Sequence, residues 1–241
     1  MRVGLFVTCL VDLLRPSIAF ASLKLLKSTG CNTVIPSSQT CCGQPAYNSG
    51  YRQAAIALAK KTLDEFKDCD YVVVPSGSCA GMIRVHYPEL ARSEPSLLAE
   101  AQNLSSKTYE LTDFLVNVAK TEKLQCQFRG SVTYHDSCSG LRELGIKLQP
   151  RFLLAKNPSI TLKEMKDCQT CCGFGGTFAV KYNNISAKIA DDKCRNIQAM
   201  QADAVAMGDL GCMLHIEGRL RHQKDDKTKV MHIAELLAGE E

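Results

Sequence analysis

The chain has no long apolar run. Its longest uncharged, largely apolar stretch near the start, Val3 to Val11, falls far short of the roughly 20 residues that a membrane-spanning helix needs. Nothing basic precedes that stretch except Arg2, and no small-residue cleavage site follows it, so no secretory signal is expected. Blocks of like charge are missing too. The 29 basic and 25 acidic residues leave a net charge of +4, spread along the chain as on a mixed solvated surface; no nucleic-acid partner is expected. There is no low-complexity or long polar segment. The glycine-rich GFGGTF at 173–178 lacks the strand–GxGxxG–helix context of a dinucleotide site, and no flavin or nicotinamide signature occurs elsewhere. What remains is a globular chain of 241 residues, enough for one large domain or two small ones.

Cysteine, by contrast, is abundant: thirteen residues, about 5 % of the chain. An odd number without a secretion signal argues against a disulfide scaffold and for a reducing compartment, the cytoplasm, where thiols serve as metal ligands or redox groups. Buried cysteine acting as a small hydrophobe is the competing explanation, and spacing decides between them.

The cysteines repeat. VGLFVTC ends at Cys9; after 31 intervening residues come Cys41-Cys42-Gly43; the strand-like YVVVP then leads into Ser76-Gly77-Ser78-Cys79. In the second half SVTYHDSC ends at Cys138; after 32 intervening residues come Cys171-Cys172-Gly173; DAVAM then leads to Asp209-Leu210-Gly211-Cys212. KTYELTDFLVN and KVMHIAELLAG close the two copies alike. The repeat divides the chain into 1–121 and 130–241.

Periodicity supplies the elements. Arg2 to Thr8, Asn32 to Ile35, Tyr71 to Val74 and Ala204 to Met207 read as buried strands; 17–28, 51–66 and 185–200 read as amphipathic helices. Strands alternating with helices predict an α/β fold of two pseudo-symmetric Rossmann-like halves with mainly parallel sheets. In such sheets ligands bind beyond the carboxyl ends of the strands. Cys9, Cys79, Cys138 and Cys212 each follow a predicted strand, and both CCG pairs lie in post-strand loops, so each half is expected to gather four thiols at one edge. Iron–sulfur clusters and zinc both accept four thiolates. Adjacent cysteines suit a multi-iron cluster better than a single tetrahedral ion, because neighbouring side chains point apart on an extended backbone.

The order Cys, Cys-Cys-Gly, CxxC at thirty-odd-residue intervals resembles the cysteine-rich CCG domain, which occurs twice in one of the chains of heterodisulfide reductase and also in glycolate oxidase iron–sulfur subunits. CCGQPAYNSG, PSGSCAGMI, CCGFGGTF and GDLGCMLHI resemble the lactate-utilization members of that group. The resemblance implies an iron–sulfur electron-transfer subunit that oxidises L-lactate to pyruvate together with a ferredoxin-like iron–sulfur subunit and a third small subunit. Full-motif members hold four-iron clusters with five cysteines. Here Ser76 and Asp209 stand where the first cysteine of CxxC belongs, leaving Cys9, Cys41, Cys42 and Cys79, and Cys138, Cys171, Cys172 and Cys212, with Ser76 and Asp209 as candidate oxygen ligands. Four thiolates suffice for one [4Fe–4S] cluster per half; zinc or empty sites are expected after aerobic preparation. The competing readings are a heterodisulfide-reductase-like, disulfide-reducing subunit and a zinc-stabilised interaction module without redox activity.

Among the remaining residues, His135, three before Cys138, is a candidate to tune the site or carry a proton. His215 is a weaker candidate, and Cys168 an alternative ligand. Cys31, Cys69, Cys126 and Cys194 have no repeat partner and read as structural. Tyr47, Phe174 and Phe178, beside the CCG loops, mark an expected docking face.

Overall fold

The computed structural model describes residues 1–239. In the first half β1 (Arg2–Leu5), α1 (Cys9–Leu14), α2 (Ser17–Ser28), β2 (Asn32–Val34), α3 (Gln44–Asn48), α4 (Arg52–Phe66) and β3 (Tyr71–Val74) follow one another. Then come α5 (Gly77–Gly81), a π-helical turn at Met82–His86, α6 (Tyr87–Leu90), α7 (Pro95–Lys107), β4 (Thr108–Glu110), α8 (Leu111–Asp113) and a second π-turn at Phe114–Val118. The second half runs β5 (Gly130–His135), α9 (Cys138–Leu144), α10 (Leu148–Ala155), β6 (Ile160–Leu162), α11 (Thr177–Lys181), α12 (Asn183–Ala199), β7 (Ala204–Met207), α13 (Leu210–His222), β8 (Lys229–His232) and α14 (Ile233–Ala238).

Two four-stranded sheets result, ordered β2-β1-β3-β4 and β6-β5-β7-β8, with every pairing parallel. The fold is therefore the expected pair of similar α/β halves. Strand alternation shows why the runs are continuously apolar: Val3, Leu5 and Val73 face one apolar cluster, while Phe6, Val72 and Val74 face another. β1 stops at Leu5, short of the expected Thr8, because the backbone N–H of Val7 turns to the Gln39 side chain (2.9 Å) and Cys9 already opens a helix. Among the described residues no helix is long and apolar enough to cross a membrane.

The halves interlock. α14, at the end of the second half, packs on α2 of the first, and α10 packs on α8, so one apolar cluster runs from Leu5 and Leu25 to Leu236 and Leu237. α5 crosses α9. A side chain at Gly77 would meet the backbone of Gly140 at 2.9 Å from Cα and 3.0 Å from N, and Ser137 Oγ at 2.8 Å; one at Gly140 would reach the Gly77 Cα only at 3.8 Å. Gly77→Ala is therefore expected to cost about 1–3 kcal/mol by forcing the helices apart. Each kcal/mol lowers the unfolding midpoint of a chain this size by about 2–4 °C. Gly140→Ala should cost much less, since only its own neighbour Ser137 need rotate. Calorimetry showing equal losses for the two would refute this account of the interface.

Candidate functional site

Each sheet order reverses between its first and third strands, at β1/β3 and β5/β7. Loops leaving those strands diverge there, beyond the carboxyl ends, the place where ligands bind in such sheets. The sequence places its cysteines at that point. Cys9 and Cys138 open the helices after β1 and β5, and Cys79 and Cys212 are the third residues of α5 and α13. The CCG loops enter from the β2 and β6 side. Gly43 (φ +87°) and Gly173 (φ +88°) hold the same left-handed turn after each cysteine pair, a conformation that a side chain would strain.

In the first half Cys9 Sγ lies 3.7 Å from Cys41 Sγ, and Cys42 Sγ lies 3.3 Å from Cys79 Sγ. Cys41 is held well below the usual thiol range because the Cys42 and Cys9 thiols and the Gly43 N–H all donate to it. Cys9 and Cys42 are raised in return, chiefly by sharing their protons with Cys41 and also by burial. The second half repeats this arrangement. Cys171 is lowered by Cys138, Cys172 and the Gly173 N–H, while Cys138 and Cys172 are raised. Cys212 is fully enclosed: its bond with Cys172 lowers it, but burial raises it overall. Each half thus collects four cysteines, one of them a thiolate already stabilised by sulfur and amide donors. Backbone amides of Gly43, Gly173 and Phe174 also point at cysteine sulfurs.

Ser76 and Asp209 meet each other across the interface. Ser76 Oγ donates to Asp209 Oδ2 (3.1 Å), which also accepts from the Ser78 N–H (2.9 Å), while Oδ1 accepts from Gly211 N–H and caps α13. Three donors from two halves therefore converge on the Asp209 carboxylate.

His135 is the last residue of β5 and fully buried. One of its ring nitrogens and the sulfurs of Cys172 and Cys212 all lie within 4.8 Å of one another. Burial, and then the charge of Lys193, push the imidazole down to about 3, so it is neutral at ordinary pH. Lys193 is a residue that sequence reasoning overlooked. It is buried on the inner face of α12, where Ser186, Ala190 and Ile197 mark the same stripe, and that helical spacing was the available signal. Its Nζ donates to the carbonyls of Asp167 (2.8 Å) and Cys168 (3.3 Å). Asp136 is likewise buried and takes a bidentate pair from Arg151 at 2.8 and 3.0 Å.

The other sequence candidates find local partners. His215 Nε2 lies 3.1 Å from Ser186 Oγ, with its ring against Phe174. The Cys168 sulfur sits by Arg151, and Cys194 is enclosed between α12 and α13. Tyr47 stacks on His86 and donates to Glu89 (2.7 Å); Phe178 packs on Tyr182.

Comparison with known proteins adds three findings. The family described as the cysteine-rich domain, CCG, matches residues 3–84 and 132–217. Lactate utilization protein A of Geobacillus kaustophilus is 46% identical over 237 residues, covering 98% of this chain and 98% of that protein. Lactate utilization protein A 2 of Bacillus cereus (strain Q1) is 42% identical over 238 residues, covering 99% and 98%. Among solved structures, a hypothetical protein from Helicobacter pylori aligns with 100% of the chain at a TM-score of 0.62 and 12% identity. The chain spans about half, 49%, of that structure, a likeness of fold alone.

Proposed function

The chain belongs to the cysteine-rich CCG domain family, and from that premise we propose that it is an iron–sulfur electron-transfer subunit of a multi-component, cytoplasmic L-lactate dehydrogenase complex. One observation carries the reading: four thiols converge at the switch point of each sheet, two of them adjacent in sequence, with Cys42 and Cys79 at 3.3 Å. The near-full-length likeness to proteins named for lactate utilization supplies the substrate class.

The donor set fits the group. Cys9, Cys41, Cys42 and Cys79 would hold one [4Fe–4S] cluster, and Cys138, Cys171, Cys172 and Cys212 the other; thiolates are the ordinary ligands of such clusters. A bound cluster supplies one-electron uptake and release. The chain's own part is to hold one lowered thiol in each set, Cys41 and Cys171, aim the Gly43, Gly173 and Phe174 amides at sulfur, and exclude water from the inner cysteines. Lactate oxidation removes two electrons, which calls for an organic cofactor or a chain of redox centres. A ferredoxin-like iron–sulfur subunit and a third small subunit are the partners this reading requires.

Anaerobically purified protein should contain iron and acid-labile sulfide and absorb at about 400 nm, bleaching with dithionite. Alone it should show negligible lactate oxidation with an artificial acceptor, and adding both partner subunits should restore turnover. A colourless zinc protein, or robust turnover by the isolated chain, would overturn the assignment.

A further inference from the structure

The two halves differ at the position directly behind their thiol sets. Three residues before Cys9 stands Phe6; three before Cys138 stands His135. Both are fully buried: Phe6 directly follows β1, and His135 ends β5. Phe6 packs on Phe66 with ring centroids 5.8 Å apart, so the fold can fill this slot with an apolar ring. His135 has no such justification. Neither ring nitrogen has a hydrogen-bond partner among the described residues. Unpaired polar atoms this deep are among the costly features of a folded chain. Yet one of those nitrogens shares a sphere with the sulfurs of Cys172 and Cys212, all mutually within 4.8 Å. The second half carries another difference beside it: Lys193 is buried where the first half has Thr62 on the matching helix stripe.

We propose that His135, beside Cys172 and Cys212, is a nitrogen ligand of the metal centre in the second half, added as a fifth donor to Cys138, Cys171, Cys172 and Cys212, making that centre a mixed histidine–cysteine site while the first half remains all-cysteine. The inference rests on the iron–sulfur reading above and deepens it. Coordination gives the imidazole a partner that no group within hydrogen-bond geometry provides among the described residues. It also makes the two centres unequal in potential. A neutral nitrogen donor and a neighbouring buried ammonium both favour the reduced, more negative state, and histidine ligation raises the potential of other iron–sulfur centres in the same way. The second-half centre is therefore the stronger electron acceptor, and electrons entering the chain come to rest there.

The test uses the whole chain, purified anaerobically and reduced, with and without selective 15N-histidine labelling. Pulsed EPR should detect a strong coupling from a directly bonded nitrogen that changes with the isotope, distinct from the weak couplings of backbone amides. His135→Phe, which copies Phe6, should abolish that coupling while the first-half centre remains, and a redox titration should show the second-half potential falling. His215→Phe should change neither. Iron and sulfide analysis separates the two levels of the argument: a chain that binds no iron overturns the iron–sulfur reading and this proposal with it. A chain with iron in both halves but no strong histidine coupling, or one whose coupling survives in His135→Phe, overturns the ligand assignment alone. If His135→Phe fails to fold, a strong coupling that persists in labelled His215→Phe supports His135, and its loss there overturns the assignment.

Discussion

Replacing Cys172 by Ala will strip the iron from the second half and leave the first half loaded; replacing Cys42 will do the reverse. Each substitution removes one donor from a set of four thiols, so the expected loss is about half of the bound iron and sulfide. The fold should survive. Cys172 and Cys42 are buried, but each contributes only a sulfur to its apolar cluster, and deleting so small a group costs about 1 kcal/mol. The Tyr87 hydroxyl binds the Cys42 carbonyl at 2.9 Å, a bond that is indifferent to the thiol. The Gly43 and Gly173 turns likewise depend on backbone conformation. Cys194→Ala is the control: its thiol lies outside both sets, near the Ile216 carbonyl, and its loss should leave iron unchanged. Iron analysis with circular dichroism on all three variants checks the prediction. If Cys42→Ala or Cys172→Ala empties both halves while the fold persists, the centres are not independent.

The second large effect is on acid stability of the metal-free protein. His232 is fully buried; its Nδ1 accepts the Ala234 N–H and, with Glu235, forms the capping box of α14. Burial pushes it down to about 3, as it does His135. As pH falls through the ordinary histidine value of about 6.5, the unfolded chain gains a proton at each that the folded chain refuses, so stability is lost on acidification. Glu110, buried at the interface and capping α8, is pushed up by burial to about 7. It acts oppositely: between pH 4.5 and 7 the folded chain keeps a proton that the unfolded chain gives up, so stability is gained on acidification. Each proton is worth about 1.4 kcal/mol per pH unit. Between about pH 4.5 and 6.5 the two buried histidines outweigh the one carboxyl, and the wild type weakens as pH falls. His232→Asn, which preserves a cap, should flatten that slope by about 1.4 kcal/mol per pH unit, and Glu110→Gln should steepen it by the same amount. Urea unfolding across this range measures both. Equal slopes in all three proteins would show that these groups do not titrate as their burial dictates.

Local residue chemistry was enough to determine much of this protein. Apolar runs such as YVVV and AVAM can only be strands buried on both faces, and the stripe through Ala55, Ala59, Thr62 and Phe66 can only be a helix with one covered side. The Cys…CCG…Cys repeat marked the same eight thiols that the sheets bring to their switch points, because the cysteines flank the strand ends in sequence and a parallel sheet aligns those ends in space. Tertiary structure alone decided what covers each element. Nothing in the pattern of α14 says that it packs on α2 of the other half, since an apolar sequence records that a helix is buried and not what buries it. The same limit hid the meeting of Ser76 with Asp209, residues 133 apart whose oxygens come together only when the N-termini of α5 and α13 meet. It also hid the difference between Phe6 and His135. Each stands three residues before the first cysteine of its set, and only the folded chain sets one against an aromatic ring and the other, without a hydrogen-bond partner among the described residues, against two thiols.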